Sequence, residues 1–236
     1  MPDEPPDGAP PNVGINPVER TLLIFDLDGT LIDSQLDLAN SVNAMLAHMG
    51  REALSEEVVA SYVGNGAPVL VRKALGPDAA AEDVERALAY FIAYYAEHKL
   101  DNTVLYPGVE DALESFAGQN AAMAVLTNKP VNISNAIVAG LGIAERFFRV
   151  YGGNSFDQKK PNPIGIHTLM EESGIAAPKT VMVGDSYVDV QTARNAGVRC
   201  CGVTYGLQPE SFEQHPPDFL VGRMEDLGKF VFAQER

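Results

Sequence analysis

Basic residues are scarce in this chain: 17 lysines and arginines stand against 32 acids, for a net charge of −15. With no basic patch to neutralise a phosphate backbone, nucleic acid is not an expected partner. A small anionic substrate is still open, because one metal ion and one lysine can reverse the field locally. Long apolar runs are missing too; none approaches the roughly 20 residues a bilayer span needs, so no membrane partner is expected. The N-terminus shows no basic segment followed by an apolar one, which makes a soluble cytoplasmic protein the expectation. Cysteine is nearly absent. Cys200 and Cys201 are adjacent in an apolar stretch and read as reduced, buried, small apolar residues, not as a disulfide or metal site. No internal repeat is visible.

What is present suffices for one large domain, or a domain with a sizeable insertion: 236 residues, 46% of them hydrophobic. Residues 1–19 carry Pro2, Pro5, Pro6, Pro10, Pro11 and Pro17 among acids and glycines, a composition read as a disordered tail. Leu22–Phe25 is a short apolar run suited to a buried strand. Apolar residues then recur at helical spacing, at Leu38, Val42, Met45, Leu46 and Met49 and again at Val84, Leu88, Phe91, Ile92 and Tyr95. Ser55 with Glu56 and Glu57 begins a shorter helix, and Gly64-Asn65-Gly66 opens another that runs through Leu75.

From Tyr106-Pro107-Gly108 onward helices alternate with short apolar stretches at Ala122–Leu126, Phe147–Tyr151, Thr180–Val183 and Cys200–Val203. Strands separated by helices form parallel sheets with crossover connections. The expected fold is therefore α/β: a doubly wound parallel-sheet (Rossmann-like) core from residues 20–33 and 104–236. Residues 34–103 are inserted as an all-helical cap that sits like a lid over the strand ends.

Four clusters carry chemistry, each at a strand end or in the loop after it. Asp26 and Asp28 follow the first strand, with Gly29 allowing a sharp turn. In α/β folds the carboxyl ends of the strands are where ligands bind. Two acids so close repel unless a cation or a proton separates them, although Asp-Gly is also a common turn. Thr127-Asn128-Lys129-Pro130 offers a hydroxyl, an amide and helix N-terminal N–H groups as a phosphate cradle; Thr-Asn is equally an ordinary helix cap. Lys159-Lys160-Pro161-Asn162-Pro163 holds a lysine on a stiff loop, where it can meet a phosphoryl group or simply be solvated. Gly184-Asp185-Ser186-Tyr187-Val188-Asp189 places Asp185 and Asp189 about one helical turn apart, as a Mg²⁺ site built from few carboxylates requires.

In this order the four clusters resemble the haloacid dehalogenase superfamily of phosphohydrolases, and within it the phosphoglycolate phosphatases. The shared pattern is Asp26–Thr30, Thr127, Lys160–Pro163 and Gly184–Asp189, with Val63–Ala67, Thr127–Pro130 and Gly202–Gly206 as supporting phrases. The resemblance implies that Asp26 is the nucleophile and forms an aspartyl-phosphate, while Asp28 protonates the leaving alcohol and then activates water. It implies Mg²⁺ held by the Asp26 carboxylate, the Asp28 carbonyl and Asp185, with Asp189 orienting this set or holding a water. Gly29, Thr127, Asn128 and Lys160 are the implied phosphate-binding set, Lys160 also neutralising Asp26.

The cap loop Gly64-Asn65-Gly66 is expected to reach the substrate, an ordinary helix–helix turn being the competing reading. Arg72 is a candidate for a substrate carboxylate, against a plain solvated helix arginine. The implied partner is a small phosphate ester, 2-phosphoglycolate first, with a nucleoside monophosphate, a sugar phosphate or pyrophosphate as alternatives. A phosphomutase like the β-phosphoglucomutases is a further alternative. A dehalogenase is disfavoured because that branch lacks the second aspartate, and a noncatalytic module because all four motifs stand intact. Monomer and homodimer are equally compatible with the sequence.

Overall fold

The computed structural model describes residues 20–232; the proline-rich stretch 1–19 lies outside the described residues. Leu22–Phe25 forms β1, buried along its whole length. The chain turns through Asp26–Leu31 into a two-residue strand, β2 (Ile32–Asp33). Four helices follow: α1 (Gln35–His48), α2 (Glu56–Ala60), α3 (Ala67–Leu75) and α4 (Ala81–His98). The short strand β3 (Val104–Leu105) then returns the chain to the core by pairing antiparallel with β2. The remainder alternates: α5 (Val109–Gly118), β4 (Ala122–Leu126), α6 (Val131–Gly140), β5 (Arg149–Tyr151), α7 (Ile164–Ser173), β6 (Thr180–Gly184), α8 (Tyr187–Ala196), β7 (Arg199–Val203), β8 (Phe219–Val221) and α9 (Leu227–Val231).

The main sheet has six strands in the order β5-β4-β1-β6-β7-β8, all pairs parallel. After β1 the chain builds outward on one side through β4 and β5, then crosses to build the other side from β6. The switch point therefore falls at β1, and the carboxyl ends of β4, β1 and β6 lie side by side there, where α/β sheets bind ligands. Alternation along the strands splits the core in two. Leu23 and Phe25 pack with Met123, Val125, Val181 and Val183 against α5, α6 and the inserted helices. Leu22 and Ile24 pack with Ala124 and Met182 against α7 and α8. Both faces are covered, which is why these strands read as continuous apolar runs.

Four elements differ from the sequence reading. The strand expected from Phe147 begins at Arg149, because a 3₁₀ turn over Ala144–Arg146 precedes it and Phe147 packs into the core. β8 had no signal: only Val221 of its three residues is buried. β2 and β3 are two residues each, too short for any alternation to register.

One buried acid ties the two ends of the inserted helices together. Asp37, in the first turn of α1, accepts hydrogen bonds from the Asn102 N–H (3.0 Å) and amide (2.8 Å) and from the Thr103 N–H (2.8 Å) and hydroxyl (2.7 Å). Burial alone would raise its pKa, but these donors outweigh it and hold the carboxyl below its ordinary value. Asp37→Ala strands four donors and is expected to cost about 3 kcal/mol in urea-unfolding free energy. A group with a depressed folded pKa stabilises fully above its unfolded value. The Asp37 contribution should therefore fade as pH falls below about 3.9, an effect absent in the alanine variant.

Candidate active site

Asp26 leaves β1 still paired to the sheet, its N–H donating to the Val183 carbonyl (2.9 Å). Its carboxylate accepts the Leu27 N–H at 2.7 Å and meets the Lys160 ammonium at 2.9 Å. The chain then coils tightly: the N–H groups of Leu31 and Ile32 both donate to the Leu27 carbonyl (3.0 and 3.1 Å), and Gly29 sits at φ +78°. A side chain at Gly29 would meet the backbone strain of positive φ and collide with the Asp185 carboxylate.

The turn sends the two acids to different partners. Asp28 is held by the Lys129 ammonium through both oxygens (2.7 and 2.9 Å) and by the Ser34 hydroxyl (2.5 Å). Asp26 instead faces Asp185 and Asp189; one oxygen from each of these three buried acids lies within 4.8 Å of the others. The mutual repulsion expected from the sequence is thus relieved by two lysines, one for each aspartate.

Lys160 lies between β5 and α7, buried, with its ammonium 2.6 Å from Asp189 and 2.9 Å from Asp26. Burial disfavours its charge, but Asp189 and Asp26 overcome this and hold the lysine above its usual range. Asp189 is itself fixed at the start of α8, accepting from the Ser186 N–H (3.2 Å) and hydroxyl (2.8 Å). Asp185 accepts from the Leu207 N–H at 2.7 Å.

Three carboxylates and one ammonium leave two negative charges in a buried site. Burial pushes Asp26 up to about 6, against the pull of Lys160. Burial and the neighbouring Asp189 and Asp26 push Asp185 well above the carboxylate range. A divalent cation bound by oxygen ligands would offset the charge of so crowded a set of carboxylates. The donor set fits such an ion, and backbone room for it exists where Gly29 and Gly206 lack side chains beside Asp185. The Asp28 carboxylate, engaged by Lys129, stands apart from this cluster, so its contribution to a metal would come from its carbonyl alone.

Above the acids, a cavity of about 40 Å³ lies between the core and the inserted helices. Asp26, Asp28, Thr127, Asn128 and Lys129 form its floor, and Leu38, Val63, Leu70, Phe91 and Tyr95 line it from the inserted segment. Gly64 and Gly66 line it, whereas Asn65 does not. The glycine loop docks on the core. Asn128 Nδ2 donates to the Gly64 carbonyl (2.9 Å), Lys159 Nζ to the Asn65 carbonyl (2.6 Å) and Gln208 Nε2 to the Val63 carbonyl (2.8 Å). At Gly66, a Cβ would press within 3.1 Å of the Asn128 carbonyl and the Lys159 ammonium.

Asn128 and Arg72 both direct side-chain donors to backbone carbonyls. The Asn128 amide does not stand ready for phosphate, because its protons go to the carbonyls of Gly64 and Lys160 (2.9 and 3.1 Å); it works as a strut between cap loop and core. Arg72 is exposed and donates to the Ala79 carbonyl (3.1 Å), away from the cavity. Two residues went unforeseen. Lys129 was visible in the Thr127–Pro130 phrase but nothing local marks its partner Asp28, and Tyr95 read only as one of a helix's apolar positions.

The geometry is that of an aspartate pair at the switch point of a parallel sheet, beside a buried acid cluster and under inserted helices. Residues 23–203 match the model of the haloacid dehalogenase-like hydrolase family. The chain is 47% identical to a phosphoglycolate phosphatase of Pseudomonas fluorescens, over 89% of this chain and 78% of that one. It is 39% identical to a phosphoglycolate phosphatase of Vibrio parahaemolyticus, over 89% of this chain and 95% of that one. The crystal structure of a predicted phosphoglycolate phosphatase from Haemophilus somnus is similar at TM-score 0.85 and 32% identity, covering 90% of this chain and 98% of that one. The chain belongs to the haloacid dehalogenase-like hydrolase family. Within it, this protein is an enzyme of the phosphatase type, with a parallel Rossmann-like core and a helical cap. No helix among the described residues is long and apolar enough to cross a membrane.

Proposed function

We propose that this enzyme hydrolyses small phosphomonoesters through an aspartyl-phosphate on Asp26, with Mg²⁺ as cofactor and 2-phosphoglycolate as substrate. The observation that carries the reading is the separation of the aspartates. Asp26 stands in the buried acid cluster on Lys160, while Asp28 is held at the cavity by Lys129 and Ser34.

The Asp26 carboxylate attacks phosphorus, splitting one difficult displacement into two easier ones. Its distal oxygen is fixed by the Leu27 N–H and Lys160, so little reorganisation is needed on the way to the transition state. Asp28 gives a proton to the leaving oxygen, then takes one from the water that opens the phosphoenzyme. Thr127 and Lys160 hold phosphoryl oxygens, and Asp189 keeps the Lys160 ammonium in place. Mg²⁺ on Asp26, Asp185 and the Asp28 carbonyl would offset the charge of the nucleophile and phosphate. Docking of the Gly64–Gly66 loop on Asn128 and Lys159 closes the site to bulk water.

The size of the cavity supports a small substrate. A volume near 40 Å³ holds only a few heavy atoms. That favours a compact leaving group such as glycolate over a nucleoside or hexose. The relatives named above point the same way. Buried, unpaired Cys200 and Cys201 suit the reducing cytoplasm, where we place the enzyme.

Phosphate release should be measured on 2-phosphoglycolate, AMP, glucose 6-phosphate and pyrophosphate, with Mg²⁺ and with chelator. The expected result is kcat/KM for phosphoglycolate at least ~10-fold above the others. Chelator should stop turnover and Mg²⁺ restore it. Dominance of another ester would sink the substrate, and undiminished turnover in chelator the metal.

A further inference from the structure

Lys129 is a buried cation whose part in the phosphoryl chemistry is limited to holding Asp28. Its ammonium lies 4.6 Å from the centroid of the Tyr95 ring, over its face. Lys129 and Tyr95 are 6% and 2% exposed, and both line the cavity. Lys129 is the sole cation among the described residues that do so. Tyr95 belongs to the cap helix α4, so the pair meets across the boundary between cap and core. The Tyr95 hydroxyl is buried with no partner of normal hydrogen-bond geometry among the described residues, a costly state for a polar group in an otherwise apolar wall.

We infer that Lys129 and the Tyr95 hydroxyl form the subsite that reads a carboxylate on the leaving group, an assignment that rests on the phosphatase reading above. Reach supports the assignment. An ammonium has three donors, and the Asp28 oxygens at 2.7 and 2.9 Å occupy two directions. The leaving oxygen must come to Asp28 to be protonated. In phosphoglycolate the carboxylate is one methylene from that oxygen, which brings it to the ammonium that holds Asp28. The Tyr95 hydroxyl supplies a second donor on the same wall. The remaining lining from Leu38, Leu70 and Phe91 rewards a methylene but offers nothing to an anion. A neutral leaving group would leave the ammonium and hydroxyl facing an apolar group, so the subsite selects as well as binds.

The test compares 2-phosphoglycolate with ethyl phosphate, in which a methyl group replaces the carboxylate while the demand on Asp28 is unchanged. The readout is the ratio of the two kcat/KM values in wild type, Lys129→Met and Tyr95→Phe. Lys129→Met is expected to lower both activities, since Asp28 loses its anchor, but to cut the preference for phosphoglycolate by about 100-fold, chiefly through KM. Tyr95→Phe removes one oxygen and is expected to cut the preference by about 10-fold without disturbing the lysine. If both activities fall together in Lys129→Met at a constant ratio, the lysine only positions Asp28 and the subsite is overturned. If Lys129→Met does not fold, an unchanged ratio in Tyr95→Phe overturns it. A wild type that prefers ethyl phosphate overturns the proposed substrate along with the subsite. That outcome differs from an altered variant ratio and is read first.

Discussion

Asp26→Asn is expected to lower kcat by about 10⁴-fold or more while leaving the protein folded. The substitution keeps shape and removes nucleophilicity. An amide oxygen still accepts the Leu27 N–H and the Lys160 ammonium, the two contacts Asp26 makes at 2.7 and 2.9 Å. Lys160 keeps its closer partner, Asp189, at 2.6 Å. One charge also leaves a site where burial has already pushed Asp26 up to about 6. Relief of that crowding should leave the thermal midpoint in chelator equal to or above that of the wild type. Loss of turnover with stability unchanged or raised is the signature of a chemical role. Turnover within tenfold of the wild type would mean that water attacks phosphorus directly and that no phosphoenzyme forms.

How much of this was legible in the sequence follows from the range of the interactions. The strands of the core announced themselves because they are buried on both faces: the reading placed β4 at Ala122–Leu126, where it stands. Edge elements did not, since β8 buries one residue and β2 and β3 pair over two residues each. Asp26 and Asp185 were legible because each follows a strand directly, and the pairing of β1 with β6 then brings them together. Long-range partners were not. Lys129 reaches Asp28 across 101 positions, and Asp37 holds Asn102 across 65. A local pattern carries no trace of such pairings. Asn128 shows the same limit: its residue type suits a phosphate cradle, and only the structure shows that both amide protons go to carbonyls of the cap loop and the lysine loop.

The cap is bound to the core by packing as well as by hydrogen bonds. Phe91 and Tyr95 of α4 and Leu38 of α1 share one continuous apolar cluster with Leu27, Leu31 and Ile133 of the core. Those same cap residues line the cavity above the aspartates. Under the proposed function the arrangement divides labour: the strand ends supply the phosphoryl chemistry, and the cap supplies the walls against which a leaving group is measured. A change of cap residues would therefore alter the substrate while the reaction stays the same.

Lys160→Met should abolish most activity, lowering kcat/KM by at least about 10³-fold, and its effect on stability should depend on metal. With the ammonium gone, Asp26, Asp185 and Asp189 remain within 4.8 Å of one another with no cation beside them. Removing one partner of a buried ion pair typically costs about 3–5 kcal/mol, because the remaining charge is stranded. That is the expected deficit in chelator. Binding of a divalent ion to the folded state alone returns stability by mass action. The variant carries one more uncompensated negative charge than the wild type, so each step in Mg²⁺ concentration should stabilise it more. Melting curves in chelator and across a Mg²⁺ series should show the gap between variant and wild type closing as metal is added. A gap that stays constant would mean that the ion binds elsewhere and that the three aspartates are held by Lys160 alone. A closing gap with activity still lost would separate the two roles of Lys160: holding the acid cluster, which a cation can replace, and meeting the phosphoryl group, which it cannot.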